Sequence, residues 1–541
     1  MPGSRIFING KIYVSIIPRR VVSGLAVING RVVLAGDKSE VLELGRKIKA
    51  EIIDLGDRTV LPGFIDSHLH LDGIGNYLNT LDLRGVRSIR ELKDRLRKYV
   101  EEKRDLKWII GRGWDQELFE EKRWPTRWDL DEVVRDKPVI LTRVCGHAAV
   151  LNTKAMELTD LLNDFSPDVI RDQNNIATGV VKENALARAR LVARSSLSDE
   201  DLEKFMIDAL FYVASQGVTT AGFVSCDPVS LKILLRLREK ISFPIRVRVY
   251  LNPGTDPSGL DTSMLDLVKR MGLRRGFGDD YLKILGFKII ADGSLGARTA
   301  WLSKPYSDAP ETSGYMNIGK EALEKIAKEI DSLGFQLAIH AIGDKTLDVL
   351  IEIYSSLKDV SRKRHRIEHA SVVRDDQLEK LRELRPVLVT QPHFVISDWW
   401  GLNRLGLDRI KWLYRFRDFI NNNIPISIST DAPVEPLNPW ETVYAAVTRG
   451  EYDNIPYYEY TKDQRLSLEE ALYYYTMGSA YALGEENLLG DLSEGKYADF
   501  IVVDKDPFEV SMRELRDLRI MATVVGGEIV YLSKEYILEK I

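Results

Sequence analysis

A chain of 541 residues, 44% of them hydrophobic, is globular and long enough for one large domain carrying a smaller one. Its 76 basic and 81 acidic residues leave a net charge of −5, without the one-sided field that would favour nucleic acid or an anionic membrane, so neither is expected as a partner. Two cysteines exclude a disulfide framework and point to the reducing cytoplasm, and no segment reads as a signal peptide or a membrane span.

Residues 1–61 read as short strands with Asn-Gly turns: Arg5 to Ser15 folding back at Asn9-Gly10, and Leu25 to Ala35 at Asn29-Gly30. The far end has the same texture, in Ala498 to Asp504, Ala522 to Val525 and Ile529 to Tyr531 around Gly526-Gly527. Both chain ends, 1–61 and 486–541, are therefore expected to share one small β-sandwich domain.

Between them, apolar runs alternate with helical segments. A helix opens at Ser198, whose spacing to Asp201 fits a capping box, and it ends at Gly217 before the strand-like Val218-Thr219-Thr220. Strands are expected at Leu61 to Ser67, Val218 to Val224, Ile245 to Leu251, Leu282 to Ile290, Gln336 to His340, His365 to His369, Val387 to Pro392 and Ile426 to Thr430. Eight strands with intervening helices predict an α/β fold, a (β/α)₈ barrel over 62–485 with its chemistry at the carboxyl ends of the strands. The first two strands are too far apart for an ordinary connection, so an insertion over 74–205 is expected, positioned to serve as a lid. Within it, Trp108 to Asp115 and Pro138 to Arg143 read as strands, and Ala148 to Met156 as a loop entering a helix.

Seven histidines are present, and several fall at strand ends. His68 and His70 are two residues apart, so on a strand they face one side. Alone this pair is a weak signal. Its company is Lys288, His340 after Gln336-Leu337-Ala338-Ile339, His369 after Arg366-Ile367-Glu368, and Asp431 after Ser427-Ile428-Ser429-Thr430. Imidazoles with a carboxylate suit zinc, with manganese, iron and cobalt as alternatives. A protonated lysine has no lone pair for a metal. Lys288 on its own also reads as a strand-end lysine, and Asp431 as a helix cap.

In this order the residues resemble the amidohydrolase superfamily. The likeness is closest to its amidohydrolase-3 branch, the YtcJ-like and N-substituted formamide deformylase-like hydrolases, through Lys288-Ile289-Ile290-Ala291-Asp292-Gly293-Ser294-Leu295-Gly296-Ala297-Arg298-Thr299-Ala300. Gly111-Arg112-Gly113-Trp114-Asp115, Gly146-His147-Ala148-Ala149 and Gly490 to Asp499 extend it over nearly the whole chain. The resemblance implies two divalent metal ions, with His68, His70 and Asp431 on one, His340 and His369 on the other, and a carboxylated Lys288 between them. It further implies attack by a metal-bridging hydroxide on a C–N bond, of an amide, N-formyl amine, carbamate or cyclic amide, with Asp431 as general base and acid. Deamination of a heterocycle is the alternative; a non-catalytic scaffold is the reading from another class. Lys288, together with Ala341-Ile342-Gly343-Asp344 after His340, weighs against the deaminase, and the complete ligand set weighs against the scaffold.

His147, Trp114, Asp115, Asp292, Ser294, Arg298 and His393 are candidate substrate contacts, each with a packing role as its alternative. Trp301, Trp399 and Trp400 lie just beyond strand ends, where they would form an aromatic wall. His365 begins its strand and reads as structural. A homo-oligomer is compatible with the chain.

Overall fold

Runs such as Val387-Leu388-Val389-Thr390 lack polar alternation because parallel strands in a barrel are buried on both faces. Eight of them make one parallel sheet: β1 (Phe64–Leu69), β2 (Val218–Cys226), β3 (Arg246–Leu251), β4 (Leu282–Ile290), β5 (Gln336–Ala341), β6 (Arg366–His369), β7 (Val387–Thr390) and β8 (Ile426–Ile428), hydrogen-bonded in chain order. The computed structural model describes residues 3–143, 148–195, 197–254, 261–536 and 539–540. It divides into two compact units, Met1–Leu71 with Leu210–Ile541, and Asp72–Ala209.

All eight expected barrel strands are present. The first is shorter than expected, because Leu61 and Pro62 end the preceding strand, Glu51–Pro62, where they pair with Ile501 and Phe500. Edges β1 and β8 are joined just beyond their ends. The Asp431 N–H donates to the His68 carbonyl and the His70 N–H to that of Ala432, each at 2.9 Å. Below them Asp66 accepts from the Thr430 hydroxyl at 2.6 Å and the Tyr475 hydroxyl at 3.1 Å. The seam that nearly closes the barrel is thus the one that brings His68 and His70 to Asp431.

The two chain ends form one mixed sheet of eight strands, with Glu51–Pro62 bonded to Arg5–Ser15 on one side and Phe500–Val503 on the other. Phe7 and Phe500 pack edge to face, with ring centroids 5.0 Å apart, in its core. Asn29-Gly30 is a hairpin turn with both residues at positive φ (51° and 78°). Asn9-Gly10 is not: Arg5–Ser15 runs through it as one strand with an irregularity in register. There Asn9 (φ 57°) makes a bulge, the other use of a residue that tolerates the left-handed region.

The unit Asp72–Ala209 holds a six-stranded sheet. Strand alternation sends Val139 and Leu141 to one core and Ile140 to another. Ala148–Leu151, expected as loop, is a buried strand antiparallel to Val139–Arg143, and Asn152 caps the helix after it. The capping box at Ser198 is present, with reciprocal bonds between Ser198 and Asp201.

Candidate metal centre

The strand registers set the depth of each polar side chain. Ile290 of β4 pairs with His340 of β5, so Lys288 lies one pleat deeper than His340 and is 1% exposed. Ala341 pairs with His369 on β6. His68 is fully buried near the end of β1, His70 follows it, and Asp431 follows β8. His369 and Asp431 have φ of 73° and 63°, a region that His and Asp enter more readily than most residues, and such strain is typical of functional sites.

These side chains converge. Asp431 Oδ1 lies 3.2 Å from His68 Nε2 and 3.1 Å from His70 Nε2, and one donor atom from each of the three fits within 4.8 Å of the others. Lys288 Nζ is 3.5 Å from His68 Nε2. The His340 and His369 ring centroids are 4.4 Å apart, and those of His68 and His369 5.0 Å.

Acceptors behind three of the imidazoles decide their tautomers. His68 Nδ1 donates to the Glu368 carboxylate at 2.5 Å, leaving Nε2 unprotonated. His369 Nδ1 donates to Gln391 Oε1 at 2.8 Å, again leaving Nε2. His340 Nε2 donates to the Gly293 carbonyl at 2.9 Å, leaving Nδ1. Burial pushes the His68 and His369 imidazoles down, His369 strongly, so both stay neutral. Burial alone would raise Asp431, but His68 and His70 hold its carboxyl well below the usual range. Burial pushes the Lys288 ammonium down, against the pull of Glu368 and Asp431. Neutral imidazoles with lone pairs, an ionised carboxylate and a lysine biased towards its free amine form a donor set that fits divalent cations.

The site opens into a cavity of about 440 Å³ lined by both polar and apolar groups. Leu295, Ile342, Phe394 and Val434 are apolar; Asp398, Tyr414 and Glu435 are not. Tyr414 donates to Asp398 at 2.5 Å, and burial, reinforced by the charge of Glu435, pushes the Asp398 carboxyl up to about 7.

Of the expected substrate contacts among the described residues, only Ser294 lines this cavity. Asp292 is buried beneath, where it accepts from the backbone N–H groups of Trp301, Ile342 and Gly343 and from Thr346, so it anchors the loop after β4 to the loop after β5. Arg298 pairs with Asp308 at 3.0 Å. His393 bonds to Glu435, which does line the cavity. Trp114 is fully buried and donates to the Leu141 carbonyl, and Asp115 caps the following turn and pairs with Arg143. His147 lies outside the described residues. Phe394 and Tyr414 supply the aromatic wall expected of Trp301, Trp399 and Trp400; Trp399 is 56% exposed, and Trp400 stacks against Arg404. His365 is buried, bonded to the Leu337 N–H and to Asp331.

Sequence reasoning passed over Glu368, Gln391, Asp398 and Glu435. None of the four stood out by residue type, since Glu368 shares its short strand with the charged Arg366.

A parallel barrel whose strand ends gather four histidines, a lysine and an aspartate around one cavity defines a metal-dependent hydrolase. The chain belongs to the amidohydrolase family, whose model matches residues 51–531. A metal-dependent hydrolase from Pyrococcus horikoshii OT3 is 41% identical, with a TM-score of 0.82 over 94% of this chain and 99% of that one. YtcJ of Bacillus subtilis (strain 168) is 30% identical over 89% of this chain and 91% of its own. The N-substituted formamide deformylase of Arthrobacter pascens is 25% identical over 93% and 94%. Among the described residues, no helix is long and apolar enough to cross a membrane.

Proposed function

We propose that this chain hydrolyses a C–N bond in a small amide, N-formyl amine, carbamate or cyclic amide, using two divalent metal ions, with zinc the best match to the donors. The carrying observation is the convergence of His68, His70 and Asp431 within one coordination radius, beside Lys288 and the His340–His369 pair. His68, His70 and Asp431 would hold one ion, and His340 and His369 the other. Lys288, whose burial favours the free amine, would be carried as a carbamate shared between them. When bound, such ions polarise a carbonyl and make water acidic enough to supply a nucleophile at neutral pH.

Asp431, an ionised carboxylate lining the cavity beside His68 and His70, would take the proton from the attacking water and return it to the leaving nitrogen. Leu295, Ile342, Phe394 and Val434 would receive an apolar portion of the substrate and exclude water around the scissile bond. The cavity's size suits a small molecule. The similarity to a formamide deformylase supports the same bond class.

The test is a screen of protein reconstituted with zinc and bicarbonate over N-formyl amines, N-acyl amino acids, carbamates, lactams and aminated heterocycles. Amine release from one of the first four classes is expected. Ammonia release from the heterocycles alone would move the reading to a deaminase. Lys288→Ala should lower bound metal from two ions per chain to one; retention of two would remove the bridge.

A further inference from the structure

Glu368 sits in the barrel interior with no exposed surface, and none of the steps above uses it. Alternation along a strand should turn Glu368 and His369 to opposite faces. The positive φ of His369 breaks that alternation, so His369 reaches the cavity while Glu368 reaches across the barrel to His68 on β1.

Three donors meet the Glu368 carboxylate: Arg366 Nε at 2.7 Å, Arg366 Nη2 at 2.8 Å and His68 Nδ1 at 2.5 Å. Arg366 is itself fully buried, donates to the Ser67 carbonyl at 3.0 Å and stacks on Tyr250, 4.4 Å from the ring centroid. A buried ion pair is a poor device for stability, because apolar residues of the same volume commonly do as well. What this pair supplies, and packing cannot, is a carboxylate of fixed position and charge directly behind one imidazole.

We propose that Glu368, clamped by Arg366, is the positioning residue of the metal centre: it holds His68 as the Nδ1–H tautomer and strengthens Nε2 as a donor to a divalent cation. The inference rests on the reading of His68 as a ligand. It makes Arg366-Ile367-Glu368-His369 one functional unit, in which His369 faces one ion while the two charged residues brace the ligand of the other. Outer partners of this kind typically change metal affinity by about 10- to 100-fold when replaced.

The experiment is zinc affinity by chelator competition across pH, on wild type, on Glu368→Gln and on the double variant Arg366→Met with Glu368→Gln, with circular dichroism of each. Glu368→Gln keeps the shape and an acceptor but loses the charge. Zinc binding about 10- to 100-fold weaker, with zinc lost at a higher pH on acidification, is expected. The double variant, which no longer buries an unpaired guanidinium, should fold yet remain weak for zinc. Wild-type affinity in a folded variant would overturn the inference and leave the hydrolase reading intact; absence of zinc binding by the wild type would overturn the reading beneath it. Nitrogen-15 spectra of the zinc-loaded wild type need no variant: a proton on His68 Nδ1 supports the proposal, and a proton on Nε2 sinks it.

Discussion

Three of the four imidazoles in the centre are set by a partner other than the cavity's carboxylate Asp431. For His68, His340 and His369 that partner is a carboxylate, a backbone carbonyl and a glutamine amide oxygen, none of which carries the proton, so the histidine must. In the proposed reaction Asp431 has two roles, as a metal ligand and as the route for the proton. Asp431→Asn should therefore lower kcat by about 10²- to 10⁴-fold and weaken metal binding; an enzyme of near wild-type kcat with full metal content would remove it from the proton path. Asp398 makes a different prediction. Its carboxyl is raised from 3.8 to about 7, so across that window the folded protein holds a proton the unfolded chain has released. Stability then falls as pH rises from about 4 to about 7 and is flat above. Asp398→Asn lifts this penalty only where the native carboxylate is ionised, so Tm should rise at pH 8 and not at pH 4; an equal change at both would refute it. At this scale the convergence of side chains was legible where a rare residue type sits at a strand end, as with His340 and His369. Glu368 was opaque, because period-two alternation assigns it to the face opposite His369, and only the backbone at His369 reverses that. The tryptophans misled for a related reason: nearness to a strand end does not fix which way a loop side chain turns.

The elements show why the candidate ligand positions read more easily than boundaries. Strands β1 and β8 meet through backbone bonds at the candidate ligands themselves, and Asp66 ties the seam below by accepting from Thr430 and Tyr475. Every donor around Asp66 points at an acceptor. An amide there would turn at least one N–H group towards another donor, so Asp66→Asn should destabilise by about 1–3 kcal/mol, measurable by denaturant titration of the zinc-loaded protein. No loss would show that the seam does not depend on Asp66. The three paired glycine and asparagine turns illustrate a limit of local signals. Asn29-Gly30 and Gly526-Gly527 close hairpins, whereas Asn9-Gly10, of the same chemistry, makes a bulge because the strand continues beside Glu51–Pro62. Local φ preference permits both outcomes, and long-range pairing selects one. Ala148–Leu151 was missed likewise, since it opens on two alanines, which carry little strand preference until neighbouring strands bury the segment on both faces.

For the molecule as a whole, all six candidate ligands lie in the unit formed by Met1–Leu71 and Leu210–Ile541, on five different barrel strands or the residues just after them. A cation bound there links strands that are far apart in sequence, and binding to the folded state alone stabilises it by mass action. At free metal about a thousandfold above its Kd, that amounts to roughly 4 kcal/mol. Removal of metal should therefore lower the temperature of barrel unfolding and loosen the carboxyl ends of the strands before their amino ends. Hydrogen exchange on chelated and zinc-loaded protein reads this directly. Faster exchange is expected in the segments carrying His68–His70, Lys288, His340, His369 and Asp431, with little change at Val218, Arg246 and Val387, which begin their strands. Uniform acceleration along β1–β8 would mean that the ions stabilise the barrel globally instead of fastening its catalytic edge. No change at all would mean that the Asp66 seam and the buried Arg366–Glu368 pair hold those ends without metal.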